Sequence, residues 1–361
     1  MLKLMGELKG FIKHQDINTE SMVFRMHNVF TAVLLLSCSL IITASQFVGN
    51  PISCLVDGIQ AKPVNTYCWI TSTFTMPDAH NREVGLEVAH PGVANDYGDE
   101  RARKYYTYYQ WVCFVLFFQA MACYFPHWLW SIWEGGLIKA LVMGLNHSLE
   151  PEDSVSKKKN LIMEYLTTHI RTHNTYVYRY FACEVLCLIN ILLQLYLMNV
   201  FFDGEFLTYG TRVLHLTDAP QEKRFDPMVY IFPRITKCLF YKFGPSGTIQ
   251  KHDSLCILPL NIVNEKTYIF IWFWYLILTA FLIGLMVYRA AIIFAPAVRT
   301  KILQLSSRML EFETCQSITK KVELGDWWIL YVLSSNMDSL IYRELLQELT
   351  KKMGEHAVMS S

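Results

Sequence analysis

Four long windows of this chain carry almost no charge. Residues 26–56, 105–133 and 267–288 contain no Asp, Glu, Lys or Arg, and residues 180–202 contain only Glu184. A helix needs about 20 apolar residues to cross the hydrocarbon of a bilayer. The windows therefore predict four membrane spans, at 22–48, 105–130, 179–202 and 267–290. A soluble reading would require one chain of 361 residues to bury four very long apolar helices. Composition points the same way, with 17% charged residues against about a quarter in ordinary soluble domains. The first apolar run begins near Val29, too long and too far in for the core of a signal peptide.

Aromatic side chains cluster where a bilayer has its interfaces. Tyr105, Tyr106, Tyr108, Tyr109 and Trp111 open the second span, and Trp128, Trp130 and Trp133 close it, past a kink expected at Pro126. The spans leave an N-terminal segment 1–21, a first outward loop 49–104, a middle loop 131–178, a second outward loop 203–266 and a tail 291–361. An even number of spans puts both termini on one side. Lys3, Lys9, Lys13 and Arg25, with Arg289, Arg299, Lys301 and Arg308, favour the cytoplasm, while Arg101, Arg103 and Lys104 oppose it.

The cysteines are more decisive. Cys54 and Cys68 lie in one outward loop and Cys238 and Cys256 in the other; the middle loop has none, and the tail holds Cys315 alone. Disulfides persist in oxidising compartments. Paired cysteines on one side and a lone thiol on the other predict extracellular loops and cytoplasmic termini. The sequon Asn146-His147-Ser148 is then cytosolic and carries no glycan. Both outward loops are turn-rich, as in Asp57-Gly58 and Gly244-Pro245-Ser246-Gly247, and too small to fold well without covalent help. Four cysteines allow three connectivities, and the spacing leaves all three open.

On the other side, Leu4, Leu8, Phe11 and Ile12 fall at helical spacing. They predict a short amphipathic helix, lying on the inner leaflet or folded into a pore mouth. A second helical stretch is expected over 161–176. The Lys157-Lys158-Lys159 run before it reads as a solvated or lipid-facing basic patch. His169 and His173 stand four apart, a spacing that can hold a metal, but no Cys or carboxylate stands at motif distance. An exposed helix face is expected there, and no metal. Ile341, Leu345, Leu346 and Leu349 share one face of a tail helix, so tail and middle loop are expected to form a helical cytoplasmic domain.

No P-loop, GxGxxG, HExxH, nucleophile elbow or CxxC appears, so neither an enzyme nor a cofactor is expected. A formal charge of +1 gives no reason to expect nucleic acid. Glu184 reads as an interfacial carboxylate that snorkels or pairs with Arg25 or Arg179, which disfavours ion-driven transport. Four spans hardly enclose a wide aqueous path, whereas a closed ring of identical subunits does. Ser37, Cys38, Ser39, Thr43 and Ser45 of the first span serve equally as a mildly polar lining or as close-packing residues. The physical reading stops at an oligomeric channel or a four-span adhesion protein.

The run Tyr108-Tyr109-Gln110-Trp111-Val112 resembles the YYQWV signature of innexins. Asn50-Pro51 before Cys54, Phe232-Pro233-Arg234 before Cys238, Asn264-Glu265-Lys266, Trp272-Phe273-Trp274 and Gly325-Asp326-Trp327-Trp328 are similar to that family too, in order along the whole chain. Connexins have three cysteines per outward loop, and pannexins lack the YYQWV pattern. The resemblance implies an all-α membrane protein, a four-helix subunit of a large-pore channel with small disulfide-bonded extracellular loops carrying some β structure. It implies a ring of eight subunits docked to a second ring on the neighbouring cell, alone or mixed with other innexins, passing ions and small molecules at plasma-membrane gap junctions. A non-junctional hemichannel is the alternative. The bridges implied are Cys54–Cys256 and Cys68–Cys238. The segments from Leu55 to Tyr67 and from Leu239 to Leu255 become the docking rim. Met1, Leu2, Leu4, Met5 and Leu8 of the N-terminal helix, with Ser37 and Ser39, become the pore lining.

Overall fold

The structure is a computed structural model that describes residues 17–96, 98, 100–142, 152–215, 225–307 and 310–359. Helix α1 (Met22–Val48) starts at Ser21, whose Oγ accepts the Phe24 N–H at 3.3 Å. Strand β1 (Ser53–Leu55), helix α2 (Ala61–Thr71) and strands β2 (Thr73–Thr75) and β3 (Lys104–Tyr106) follow. A tight turn at Tyr108–Gln110 leads into α3 (Val112–Glu134), which continues through Pro126. Next come α4 (Leu137–Val142), α5 (Glu152–Thr168) and α6 (Asn174–Phe201). Helices α7 (Phe206–Leu214) and α8 (Pro227–Ile231) precede the hairpin of β4 (Ile235–Phe243) and β5 (Ile249–Ile257). Helix α9 (Pro259–Phe294) is followed by α10 (Pro296–Ser306), α11 (Phe312–Lys321), α12 (Leu324–Ser334) and α13 (Ser339–Met359).

Helices α1, α3, α6 and α9 are each long and apolar enough to cross a membrane. Three of them start elsewhere than the windows read in the sequence, α6 at Asn174 rather than 179. Helix α3 begins at Val112 rather than 105, because Lys104–Tyr106 pair with β2 and the next residues turn. Helix α9 begins at Pro259 rather than 267. Its first turns look like loop in sequence, yet Asn261 Nδ2 donates to the Pro233 carbonyl at 2.7 Å and Glu265 pairs with Arg234 at 2.9 Å. With those partners, buried polar side chains become affordable inside a helix.

The described chain forms two compact units, and each of the four long helices contributes to both. The sheet unit comprises Ala32–Met121 and Ile191–Ile277. Its five strands run in the order β1-β5-β4-β2-β3, antiparallel throughout, so strands from both outward loops share one sheet. Helix α7 packs closely on α9, since a Cβ at Gly210 would overlap the Trp272 ring.

The helical unit contains the remaining described residues. The helix expected over 161–176 is broken between α5 and α6, where Arg171 takes a positive φ of 69°. Asp326 holds that turn, accepting from the Arg171 N–H at 2.8 Å and meeting His173 Nδ1 at 2.7 Å. Gly325 permits the approach, because a Cβ there would overlap the His173 carbonyl and the Asn174 nitrogen. His173 is therefore buried rather than on an exposed face, and Tyr165 meets its Nε2 at 2.9 Å. Helix α13 lies against α5, with Leu345, Leu346 and Leu349 buried. Lys159 is neither free in solvent nor turned to lipid; it pairs with Glu348 at 2.7 Å and Glu344 at 3.2 Å. Asn146 and its sequon lie outside the described residues.

Candidate functional site

In the sheet unit two disulfides join the outward loops. Cys54 on β1 faces Cys256 on β5 directly across the antiparallel ladder, and the two are bonded. Cys68, buried on α2, is bonded to Cys238 on β4. One bridge thus holds the edge strand and the other holds the helix that follows it. Tyr67 and Phe240 meet edge to face at 5.0 Å beside the second bridge, so apolar packing joins the same two segments. The segments from Leu55 to Tyr67 and from Leu239 to Leu255 are exposed over most of their length, including Leu55, Tyr241, Phe243 and Ile249.

The Tyr108–Val112 signature ties the second span to both loops within this unit. The Tyr108 hydroxyl donates to the Ile231 carbonyl at 3.0 Å, and Tyr109 donates to the Cys68 carbonyl at 3.3 Å. Gln110 Nε2 donates to the Trp69 carbonyl. Around Tyr108 stand the rings of Phe202 at 5.3 Å and Phe232 at 5.6 Å, and Tyr268 stacks on Phe232. Val112 is fully buried and Trp111 is exposed. The belt expected at this end of the span is therefore mostly a buried joint: Tyr106, Tyr108 and Tyr109 are buried, while Tyr105 and Trp111 keep outward faces.

Fixed charge surrounds the sheet. Asp96 pairs with Arg103 at 2.6 Å, and Lys237 with Asp253 at 3.1 Å. His80 is buried beside Thr75, its Nε2 at 3.4 Å from Oγ1, with Tyr230 edge-on at 5.2 Å. Burial, and then the Lys104 charge, lower its pKa from 6.5 to about 4.

In the helical unit the chain entering α1 is fixed from several sides. Ser21 donates its N–H to the Tyr180 hydroxyl at 2.8 Å and its Oγ to Glu184 at 3.1 Å. Glu184 is fully buried and accepts two bonds from Arg289, both at 2.7 Å. Its partner is thus the arginine near the end of the fourth span, and neither Arg25 nor Arg179. Arg289 also lies 4.6 Å over the Trp328 ring. Glu20 meets His127 at 2.6 Å, and Asn18 exchanges hydrogen bonds with Asn336. Sequence reading missed Asn18, Ser21 and Asn336 because short polar residues beside helix ends carry no signal of distant partners.

Ser37 donates its hydroxyl to the Val33 carbonyl at 2.8 Å within α1. Ser39 is buried and donates to the Cys113 carbonyl on α3 at 2.8 Å. Its hydroxyl faces a neighbouring backbone, the close-packing role read in the sequence as the equal alternative to a lining. Met1, Leu2, Leu4, Met5 and Leu8 lie outside the described residues.

The family model described as Innexin matches residues 20–353. The chain is 62% identical over 353 residues to innexin inx1 of Schistocerca americana, covering 98% of each chain. It is 60% identical to innexin inx1 of Drosophila melanogaster, again over 98% of each. Innexin shaking-B of Drosophila melanogaster is 46% identical, over 99% of this chain and 96% of its own.

Proposed function

The chain belongs to the innexin family and is a gap-junction channel subunit, and from that premise we propose how its parts serve the channel. Eight subunits close into a ring, because a heterologous contact that closes produces a central axis. The sheet unit faces outward, where its two bridges remain oxidised, and both termini are cytoplasmic. A second ring on the neighbouring cell meets the exposed segments 55–67 and 239–255. The N-terminal helix turns into the pore and narrows it, starting from the anchor at Asn18 and Ser21. Rings form from this chain alone or with other innexins.

The observation that carries this reading is the shared sheet. Two loops, separated by two spans in sequence, are bonded at Cys54–Cys256 and Cys68–Cys238 into one stiff surface. A docking face has to hold its shape before its partner arrives, since ordering it on contact would subtract from affinity. The test is electrical recording from paired cells expressing this chain alone. Junctional current is expected. Normal surface delivery with no current in pairs, alone or beside a second innexin, would refute docking, and dye uptake by single cells would then mark a hemichannel.

A further inference from the structure

Beside the junction of α9 and α10 the helical unit contains a cleft of about 640 Å³. Tyr178 lies in the second turn of α6, and Ile293 lies next to the end of α9. Both helices are long enough to span a bilayer, and the cleft lies beside the start of one and the end of the other. Its wall has two characters. Tyr178, Ile293 and Phe312 supply apolar surface, each partly exposed, while Arg299, Thr300 and Lys320 supply polar surface.

Arg299 is the unusual member. Its Nε is buried with no hydrogen-bond partner, and no carboxylate pairs with it among the described residues. Burial alone holds its pKa below the ordinary value. A buried guanidinium N–H without an acceptor is unfavourable, and the rest of the group, half-buried, stays free to take one. The acid in the same wall, Glu323, is engaged elsewhere, with Arg171 at 3.6 Å and with Asn174 Nδ2. The α10 backbone is held in place, because Trp327 Nε1 donates to the Arg299 carbonyl at 3.2 Å.

We propose that this cleft binds an acidic phospholipid, with its phosphate on Arg299 and Lys320 and its upper acyl segment against Tyr178, Ile293 and Phe312. The two free oxygens of a lipid phosphate satisfy a guanidinium with two parallel hydrogen bonds. A zwitterionic headgroup brings a cation of its own to a site that already holds two. Inorganic phosphate lacks the part that the apolar wall contacts. Bound lipid ties the end of α9 to α11.

The test uses purified full-length protein in detergent, which opens both faces and so does not depend on the orientation proposed above. Dioctanoyl phosphatidic acid is the probe, with dioctanoyl phosphatidylcholine and inorganic phosphate as controls. Saturable binding of phosphatidic acid is expected, with a raised Tm. R299Q and K320Q should each weaken that binding about tenfold or more. A photoactivatable phosphatidic acid should label wild-type peptides within residues 293–324, a readout that needs no variant. Lys320 is exposed, so K320Q is expected to fold as the wild type does. Unchanged binding in K320Q, equal binding of phosphatidylcholine or inorganic phosphate, or labelling confined to other peptides would overturn the assignment.

Discussion

Asn18 and Asn336, 318 positions apart, close a ring of two hydrogen bonds: the Asn18 N–H donates to Asn336 Oδ1 at 2.6 Å, and Asn336 Nδ2 donates to the Asn18 carbonyl at 2.8 Å. One side chain thereby satisfies both backbone groups of a residue three positions before Ser21, the cap of α1. The tail fixes the direction from which the chain enters its first span.

Replacing Asn336 by Ala leaves both of those backbone groups without the partner. The expected loss is about 1–3 kcal/mol. Amide hydrogen exchange of the purified protein should quicken at residues 17–21. Because the segment before Asn18 is proposed to narrow the pore, single-channel conductance should change as well. Unaltered exchange would show that the pair does not hold the segment.

Glu184 and Arg289 make a buried pair, and removing one member strands the other. E184Q alone or R289M alone is expected to destabilise by about 3–5 kcal/mol. The double variant should lose less than the sum of the two. A double-mutant cycle on Tm in detergent measures the difference. Strict additivity would mean that the two side chains act independently.

Cys54→Ser or Cys256→Ser opens a bridge that spans 202 positions. Because Cys68–Cys238 still shortcuts that path, the chain-entropy model assigns about 4 kcal/mol to the closure, the value for a loop of roughly 30 residues. Either variant should still insert in the membrane, because the apolar spans do not need the bridges, while junctional current disappears. Normal coupling in either variant would contradict the need for a stapled docking face.

His80 gives the sheet unit an acid limit. Its folded-state pKa is lowered from 6.5 to about 4, so the unfolded chain binds the proton first as pH falls. The stabilisation is complete above about pH 6.5 and declines as the pH falls towards 4. Denaturation midpoints measured across that interval should fall for the wild type, and H80N should flatten the slope. An identical slope in H80N would assign the acid sensitivity to other groups.

The four spans were legible because about 20 uncharged apolar residues make a coarse signal that survives without partners. The first turns of α9 were not legible, since Asn261 and Glu265 become helical residues only beside Pro233 and Arg234. The same holds for the break before α6, where Asp326 stabilises a turn 155 positions upstream. Glu184 stood out as the charge inside a span, but its partner lies 105 positions away on α9, beyond the reach of local spacing. Cysteine spacing admitted three connectivities, and the register of β1 on β5 brings Cys54 opposite Cys256. What the sequence hid was tertiary pairing between short polar residues, which has no periodicity.

The two bridges also change the covalent topology of the chain. Cys54–Cys256 closes a macrocycle, and Cys68–Cys238 closes a smaller one nested inside it. The second and third spans lie within both rings, while the first and fourth leave as tails from adjacent points on the outer one. A single peptide cut anywhere between residues 69 and 237 therefore severs the backbone without parting the molecule. Nicked protein should migrate as one species until a reductant is added, and then as two. A subunit built this way tolerates one proteolytic accident in its middle loop and keeps all four membrane helices tethered.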